Sequence, residues 1–170
     1  MEINFFEPCC QTITDASEFG LCDDPPPPYN VAAYVDVDTM NRSSKWIAFV
    51  QNENRVSITF TAIDSCITIT RSNGKASKRC DAMLTYRDKI IFVELKERND
   101  NKSFKEGIKQ LTETIDFFTQ NHPLNQYSRK TAYVANKLKP NFQSGNTARI
   151  NKFKNDTGFR LETKNTILIS

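Results

Sequence analysis

Three charged residues in an otherwise apolar stretch have the types and spacing needed for metal chemistry. In the segment KRCDAMLTYRDKIIFVELKERN, Asp81 precedes one apolar run, and Glu94 and Lys96 end the next. Acid-x-Lys triplets occur three times in the chain, but only Glu94-Leu95-Lys96 ends a run of strand-forming residues. Two carboxylates beside an ammonium group are suited to bind a divalent cation and to position a base or a charge stabiliser.

The residues around this triplet predict a hairpin of two strands. Residues 79–86 and 90–96 have strand-forming composition, and residues 87–88 form a tight turn between them. Antiparallel pairing would place Asp81, at the start of one strand, beside Glu94, at the end of the next. Since strand side chains alternate, the acid and the lysine of the triplet share one face. The sequence therefore predicts two carboxylates and one ammonium at one edge of a sheet.

The segments that flank the hairpin predict a mixed α/β sheet. Residues 43–50 suit a short helix by the spacing of Trp46, Phe49 and Val50, although the same residues also suit a strand. The connection through a helix after the hairpin is long enough for a parallel crossover. The other predicted elements are a half-buried hairpin over 56–62 and 67–70 that turns at Asp64 and Ser65, an Asn73-Gly74 loop, a helix over 103–121 with a Ser103/Glu106 capping box, and strands over 130–138, 150–153 and 167–169.

These residues and this order of elements resemble the PD-(D/E)XK nuclease superfamily, over about Arg42 to Leu138. The resemblance implies a restriction-endonuclease-like αβββαβ core. It implies that Asp81 and Glu94 bind one or two Mg²⁺ (or Mn²⁺) ions, with the backbone carbonyl of Leu95 as a further ligand. Lys96 would then assist the attacking water.

Two features depart from the family's pattern. Gln110 resembles a glutamine that some branches place near the active site, but the tyrosine that follows it there is Thr114 here. The family's frequent additional acid has two candidates, Glu53 and Asp64. The number of metal ions depends on that third acid.

Charge changes strongly along the chain. Residues 1–41 carry a net charge of −8, residues 42–120 of +4 and residues 121–170 of +7. We expect a basic body that meets a polyanion and an acidic arm that packs against it or screens it. Four consecutive prolines in CDDPPPPYN indicate a stiff spacer, which predicts an acidic N-terminal extension over 1–30 and a single nuclease-like domain over 31–170.

Basic residues near the acidic cluster and in the C-terminal segment suit contacts with nucleic acid, although each alone could be a solvated surface group. The single histidine, His122, leaves no material for a histidine-pair mechanism, and the chain has no phosphate-binding loop motif. ATPase or targeting activity would therefore come from a partner protein. The predicted nucleic-acid contacts are Lys78, Arg79, Arg98, Lys137, Lys139, Lys152 and Lys154.

Five scattered cysteines, with no secretory signal and no apolar run of membrane-spanning length, predict reduced thiols and a cytoplasmic location. The leading hypothesis is a metal-dependent nuclease that acts on DNA. The alternative is a nuclease fold that serves as a non-catalytic binding or regulatory subunit. Homodimerisation is an expectation from the small size of the domain, and a role in restriction, repair or defence follows from the resemblance only.

Overall fold

The computed structural model describes residues 2–24, 31–97, 100–138 and 146–170. In these residues two helices, α1 and α2, accompany ten strands. Short 3₁₀ turns occur at Pro8–Cys10 and Thr39–Asn41. The elements are β1 (Gln11–Thr14), β2 (Glu18–Cys22), β3 (Tyr34–Asp36), β4 (Ala48–Gln51), β5 (Ile58–Ala62), β6 (Ala82–Tyr86), β7 (Lys89–Lys96), α1 (Asn101–Asn121), β8 (Arg129–Asn136), α2 (Thr147–Thr157), β9 (Arg160–Glu162) and β10 (Thr166–Leu168).

The strands form two sheets. The larger sheet has the order β1-β5-β6-β7-β8-β9, and the smaller has the order β10-β4-β2-β3. Strands β5, β6 and β7 are antiparallel neighbours, while β8 runs parallel to β7 after the crossover through α1. Strand β9 in turn runs parallel to β8 after α2. The mixed α/β sheet and its parallel crossover are therefore confirmed.

The larger sheet has a buried apolar face on each side, and β7 shows how the sequence produces both. Ile90 and Phe92 belong to the core on the helix side, where Phe92 contacts Phe118 of α1 at a ring-centroid distance of 5.4 Å. Ile91 and Val93 belong to the core shared with the smaller sheet. The period of two along β7 thus supplies side chains to both cores.

The acidic N-terminal segment is part of the folded body. Strand β1 pairs with β5 in the larger sheet, and β2 pairs with β3 and β4 in the smaller one. Phe5 and Phe19 are fully buried, one in each core. The predicted boundary at residue 30 therefore does not separate an extension from the body, because both cores need residues from before it. The proline run lies outside the described residues.

A disulfide joins Cys10 to Cys66, so the prediction that all five cysteines are reduced is wrong. The two residues are 56 positions apart, and packing of the N-terminal segment beside the loop after β5 brings them together. Cys9, Cys22 and Cys80 are free thiols. Spacing along the chain could not reveal this pairing, because it depends on the tertiary contact.

The helix predicted over 43–50 is wrong, and the alternative strand is β4. Strand β4 lies between β2 and β10, and its Ala48 and Val50 are buried in the core between the sheets. Trp46 lies against the backbone of Gly20, where a Cβ atom would come within 2.3 Å of the indole ring. Pairing on both sides of β4 overrides the helical spacing of three aromatic and aliphatic residues.

Three further local predictions need correction. Residues 67–70 form only an isolated bridge from Thr70 to Ala76, and Ile67 and Ile69 are instead buried under the helices. The segment 150–153 lies in α2, which ends at Gly158 with a φ of +78°. Helix α1 begins earlier than predicted, with the Asp100 side chain accepting a hydrogen bond from the Ser103 amide. No helix in the described residues combines the length and apolar character of a bilayer-spanning segment.

The remaining predictions agree with the structure to within a few residues. The predicted elements over 79–86, 90–96, 103–121, 130–138 and 167–169 correspond to β6, β7, α1, β8 and β10. Arg87 adopts a φ of +50° in the tight turn between β6 and β7. The hairpin that carries the triplet is therefore formed as the sequence indicates.

Candidate active site

Asp81 and Glu94 come together where β6 begins and β7 nears its end. Ala82 is paired with Val93, so Asp81 and Glu94 are the next residues outward on the two strands. The Asp81 carboxylate accepts a hydrogen bond of 2.6 Å from the Leu95 amide. The two acids are only 8% and 2% exposed. The strand register thus places two buried carboxylates at one edge of the sheet.

Lys96 and Gln110 complete a chain of contacts beside these acids. The Lys96 Nζ lies 2.7 Å from Glu94 Oε1 and donates a hydrogen bond of 2.9 Å to Gln110 Oε1. The Gln110 amide in turn donates to the backbone carbonyl of Arg79 at 3.0 Å. A Cβ at Gly107 would lie 3.3 Å from carbons of both Glu94 and Lys96, so the glycine lets α1 approach these side chains closely.

Burial makes this pair of acids electrostatically unusual. Loss of solvent raises the pKa of Glu94 to about 7, although the Lys96 ammonium opposes that shift. Burial, and then the charge of Glu94, raises the pKa of Asp81 well above its ordinary value. Glu94 Oε2 is buried and accepts no hydrogen bond from the described residues. A divalent cation fits these residues, because it would neutralise the second carboxylate and give Glu94 Oε2 a partner.

Two more acids act on this pair, and sequence reasoning missed one of them. The charge of Asp23, the residue after β2, raises the pKa of both Asp81 and Glu94. Burial, followed by the charge of Asp64, raises the pKa of Asp23 itself to about 6. The acidic CDD triplet was a signal in the sequence, but only the packing of β2 brings it to residues far along the chain.

Asp64 and Glu53, the two candidates for a third acid, lie in different places. Asp64 forms an ion pair with Arg79 Nε at 3.3 Å, and its charge also acts on Glu94. Glu53 lines a separate surface pocket with Glu18 and Arg55. The structure therefore associates Asp64, and not Glu53, with the buried pair.

Thr114, four residues after Gln110 on α1, has a structural role. Its hydroxyl is fully buried and accepts a hydrogen bond of 2.8 Å from the Cys80 amide. The same hydroxyl donates to the Gln110 carbonyl at 2.7 Å. Thr114 thereby connects α1 to the residue that precedes Asp81.

The carboxylates do not converge as tightly as the sulfur atoms of Cys9, Cys10 and Cys66. Within the described ranges, Cys9, Cys10 and Cys66 are the one group of three potential ligands whose donor atoms all lie within 4.8 Å of one another. Two of these sulfurs are joined in the disulfide. At the start of β6 and the end of β7, Asp81 and Glu94 are therefore the main candidate ligands for a cation. Asp23 and Asp64 are the other acids whose charges act there.

No family model, curated protein or solved structure matches this chain. What the site can do therefore follows from its own residues and their geometry.

The predicted nucleic-acid contacts do not form one surface. Lys78 and Lys152 line a groove beside α1 and α2, whereas Lys154 lines a pocket with Lys89, which begins β7. Arg98 and Lys139 lie outside the described residues.

The other two predicted contacts are engaged within the protein. Arg79 is held by Asp64 and donates a hydrogen bond of 2.8 Å to the Ile67 carbonyl. Lys137 donates to the Ser44 carbonyl at 2.7 Å. Arg79 therefore acts as a structural contact in this structure, and Lys137 is tied to the loop before β4.

Proposed function

We propose that the protein is a metal-dependent nuclease that hydrolyses phosphodiester bonds in DNA. The observation that carries this proposal is the pair of buried acids, Asp81 and Glu94, with Lys96 beside them and with no hydrogen-bond partner for Glu94 Oε2 in the part of the chain that the structure describes. Burying two carboxylates against one ammonium is costly for folding unless a ligand compensates. A divalent cation with a phosphate substrate is the compensation that these residue types favour.

Each residue has a distinct role in this proposal. Asp81 and Glu94 would hold Mg²⁺ or Mn²⁺, and the Leu95 carbonyl is a further candidate, since it points to the same side of β7 as the Leu95 amide that contacts Asp81. When bound, the cation supplies Lewis-acid activation of the phosphoryl oxygen and of water. Lys96 stabilises negative charge that develops on the phosphate. Gln110 positions the Lys96 ammonium by accepting its hydrogen bond.

The order of the elements also supports the resemblance to the PD-(D/E)XK superfamily. Strands β5, β6 and β7, helix α1 and strand β8 follow each other in the order that the βββαβ part of that core requires. The leading helix of the core has no counterpart in the described residues before β5, where strands of the smaller sheet occur instead. The proposal therefore rests mainly on the site and less on the fold.

Cleavage of DNA by matched variants tests the proposal. Plasmid, single-stranded DNA and RNA are incubated with wild type, Asp81→Ala and Lys96→Ala in Mg²⁺ or Mn²⁺. We expect wild type to cleave DNA and each variant to be slower by about 10²–10³-fold, the loss that follows removal of an electrostatic stabiliser from an active site. Glu53→Gln, at an acid outside the site, is the control and should cleave like wild type.

Two outcomes would reject the enzyme hypothesis. One is that wild type leaves all three substrates intact with either metal, which would favour a non-catalytic binding or regulatory subunit. The other is that Asp81→Ala and Lys96→Ala cleave as fast as wild type, which would assign the activity to another site or to a contaminant.

A further inference from the structure

Helices α1 and α2 border a groove that is lined by basic side chains from three segments of the chain. Its volume is about 540 Å³, and the two helices contact each other beside it. Lys105 and Lys109, four residues apart, lie on one face of α1. The other basic residues that line the groove are Lys78 from the loop before β6, and Arg149 and Lys152 from α2.

The two acids in the groove are already paired. Both oxygens of Glu113 accept hydrogen bonds from Arg71, at 2.8 and 2.7 Å. Asp156 forms an ion pair of 2.6 Å with Lys152. No ion pair within the described ranges involves Lys78, Lys105 or Lys109. The groove therefore has an excess of positive charge.

The groove adjoins the candidate active site through two pairs of neighbouring residues. Lys109 precedes Gln110, which accepts the hydrogen bond from Lys96. Lys78 precedes Arg79, whose carbonyl accepts the hydrogen bond from Gln110. On both segments, a residue that lines the groove is therefore the direct neighbour of a residue that helps to position the Lys96 ammonium.

A second basic pocket lies at the other end of the sheet. Lys89, Arg129, Lys130 and Arg160 line it, and Lys89 and Arg129 are paired where β7 and β8 begin. Glu94 and Lys96 lie at the opposite end of β7, a strand of eight residues. Charge alone does not distinguish the two surfaces, but the groove between the helices is lined by the residues that directly precede Gln110 and Arg79, both of which take part in the contacts beside Glu94.

We propose that this groove binds the phosphate backbone of a DNA strand and leads it to Asp81 and Glu94. This inference rests on the proposed nuclease function, for which it specifies the path of the substrate. Ile108, which is only partly buried, also lines the groove and provides an apolar surface for the sugars. Lysine and arginine contacts to phosphates position a strand without reading its sequence, so the groove gives affinity and orientation but no base specificity.

Binding measured without cleavage tests the groove. A labelled DNA strand is titrated in EDTA with wild type, with Lys105→Glu/Lys109→Glu and with the neutral version Lys105→Gln/Lys109→Gln. The matched control is Lys130→Glu/Lys164→Glu, which changes the net charge equally but away from the groove. We expect the charge-reversed groove variant to bind about tenfold more weakly or worse, with a shallower salt dependence, because fewer counterions are released. The neutral variant should fall between it and wild type.

The outcomes of these experiments distinguish failure of the groove proposal from failure of the nuclease proposal. Equal weakening by the groove variant and the control, or no weakening by either, would overturn the groove proposal, and so would tighter binding of RNA than of DNA. Normal folding of each variant is checked by thermal unfolding, and the neutral variant retains the test if charge reversal unfolds the protein. Selective loss of binding together with no cleavage by wild type would support the groove while rejecting the nuclease. Cleavage by the groove variant with an unchanged KM would support the nuclease and overturn the groove proposal.

Discussion

The two halves of one face of β7 are used in opposite ways. In the first half, Ile90 and Phe92 are fully buried, and Phe92 packs edge-to-face on Phe118 and Phe159. In the second half, Glu94 and Lys96 face the same helix, where it contributes Gly107 and Gln110. This face of β7 thus changes from apolar to charged side chains within two residues, although the same helix, α1, packs against both halves.

This difference shows that the buried charged residues destabilise the fold, whereas the buried apolar residues stabilise it. Burial of Phe92 stabilises the folded state, whereas burial raises the pKa of Glu94 to about 7 and thus opposes its ionisation. Positions that break the local rules of packing in an otherwise consistent fold are those expected to be functional. The first half of the face therefore holds the sheet and helix together, and the second half is the candidate for chemistry.

The largest effect on stability is expected from the apolar half. Phe92→Ala should lower the free energy of unfolding by about 3–5 kcal/mol, because it removes a buried ring and leaves a cavity. Urea denaturation of the variant measures the loss. Ile13→Ala, at a side chain that is 69% exposed, is the control and should change stability by no more than about 0.5 kcal/mol. Equal effects at the two positions would break the distinction between packing and surface.

The charged half should show the opposite response, dependent on pH. A Glu94 pKa of about 7 in the fold lies above its ordinary value of 4.5, so the protonated acid favours the native state and its ionisation destabilises it as pH rises through 7. Glu94→Gln cannot ionise. Wild type should therefore lose stability between pH 5 and pH 8, and the variant should not. The free energy of unfolding of the variant minus that of wild type should rise over this range by on the order of 1–3 kcal/mol.

Chemical denaturation at the two pH values, with and without Mg²⁺, measures this change. Mg²⁺ should restore the stability of wild type at pH 8 and have less effect on Glu94→Gln, because the cation binds the ionised carboxylate. Glu53→Gln is the control outside the site. A difference between Glu94→Gln and wild type that stays constant from pH 5 to pH 8 would contradict the assigned role of burial.

The smallest effect is expected from Asp23, which tests whether the charged region extends beyond β7. Asp23→Asn removes a charge that acts on both Asp81 and Glu94, so the Mg²⁺ concentration for half-maximal cleavage should rise about 2–10-fold, less than for loss of Asp81. A Mg²⁺ titration of the cleavage rate measures it, beside Glu53→Gln. An unchanged midpoint would confine the site to the strand hairpin.

Much of the central sheet and of helix α1 could be predicted from the sequence because their signals are local. The alternation in β7 and the spacing of four and then three residues from Phe104 to Ile108 to Leu111 depend only on neighbouring residues. Residues 43–50 were predicted wrongly because their composition suits both a helix and a strand, and pairing with β2 and β10 decides between them. Tertiary contacts also explain the wrong prediction of a strand at 150–153. These residues belong to α2, because Phe153 lies in the helix-side core and Ile150 packs against it.

Local sequence patterns were enough to predict that Glu94 and Lys96 share a face and that Asp81 lies at the start of the paired strand, directly before Ala82, because period two and a tight turn leave little freedom. The effect of Asp23 on this site and the pairing of Cys10 with Cys66 arise only when distant segments pack together. Only the packing of α1 and α2 brings Lys109 and Arg149 to one groove. These contacts join segments far apart in the chain, and no local pattern encodes which distant segment will pack beside another.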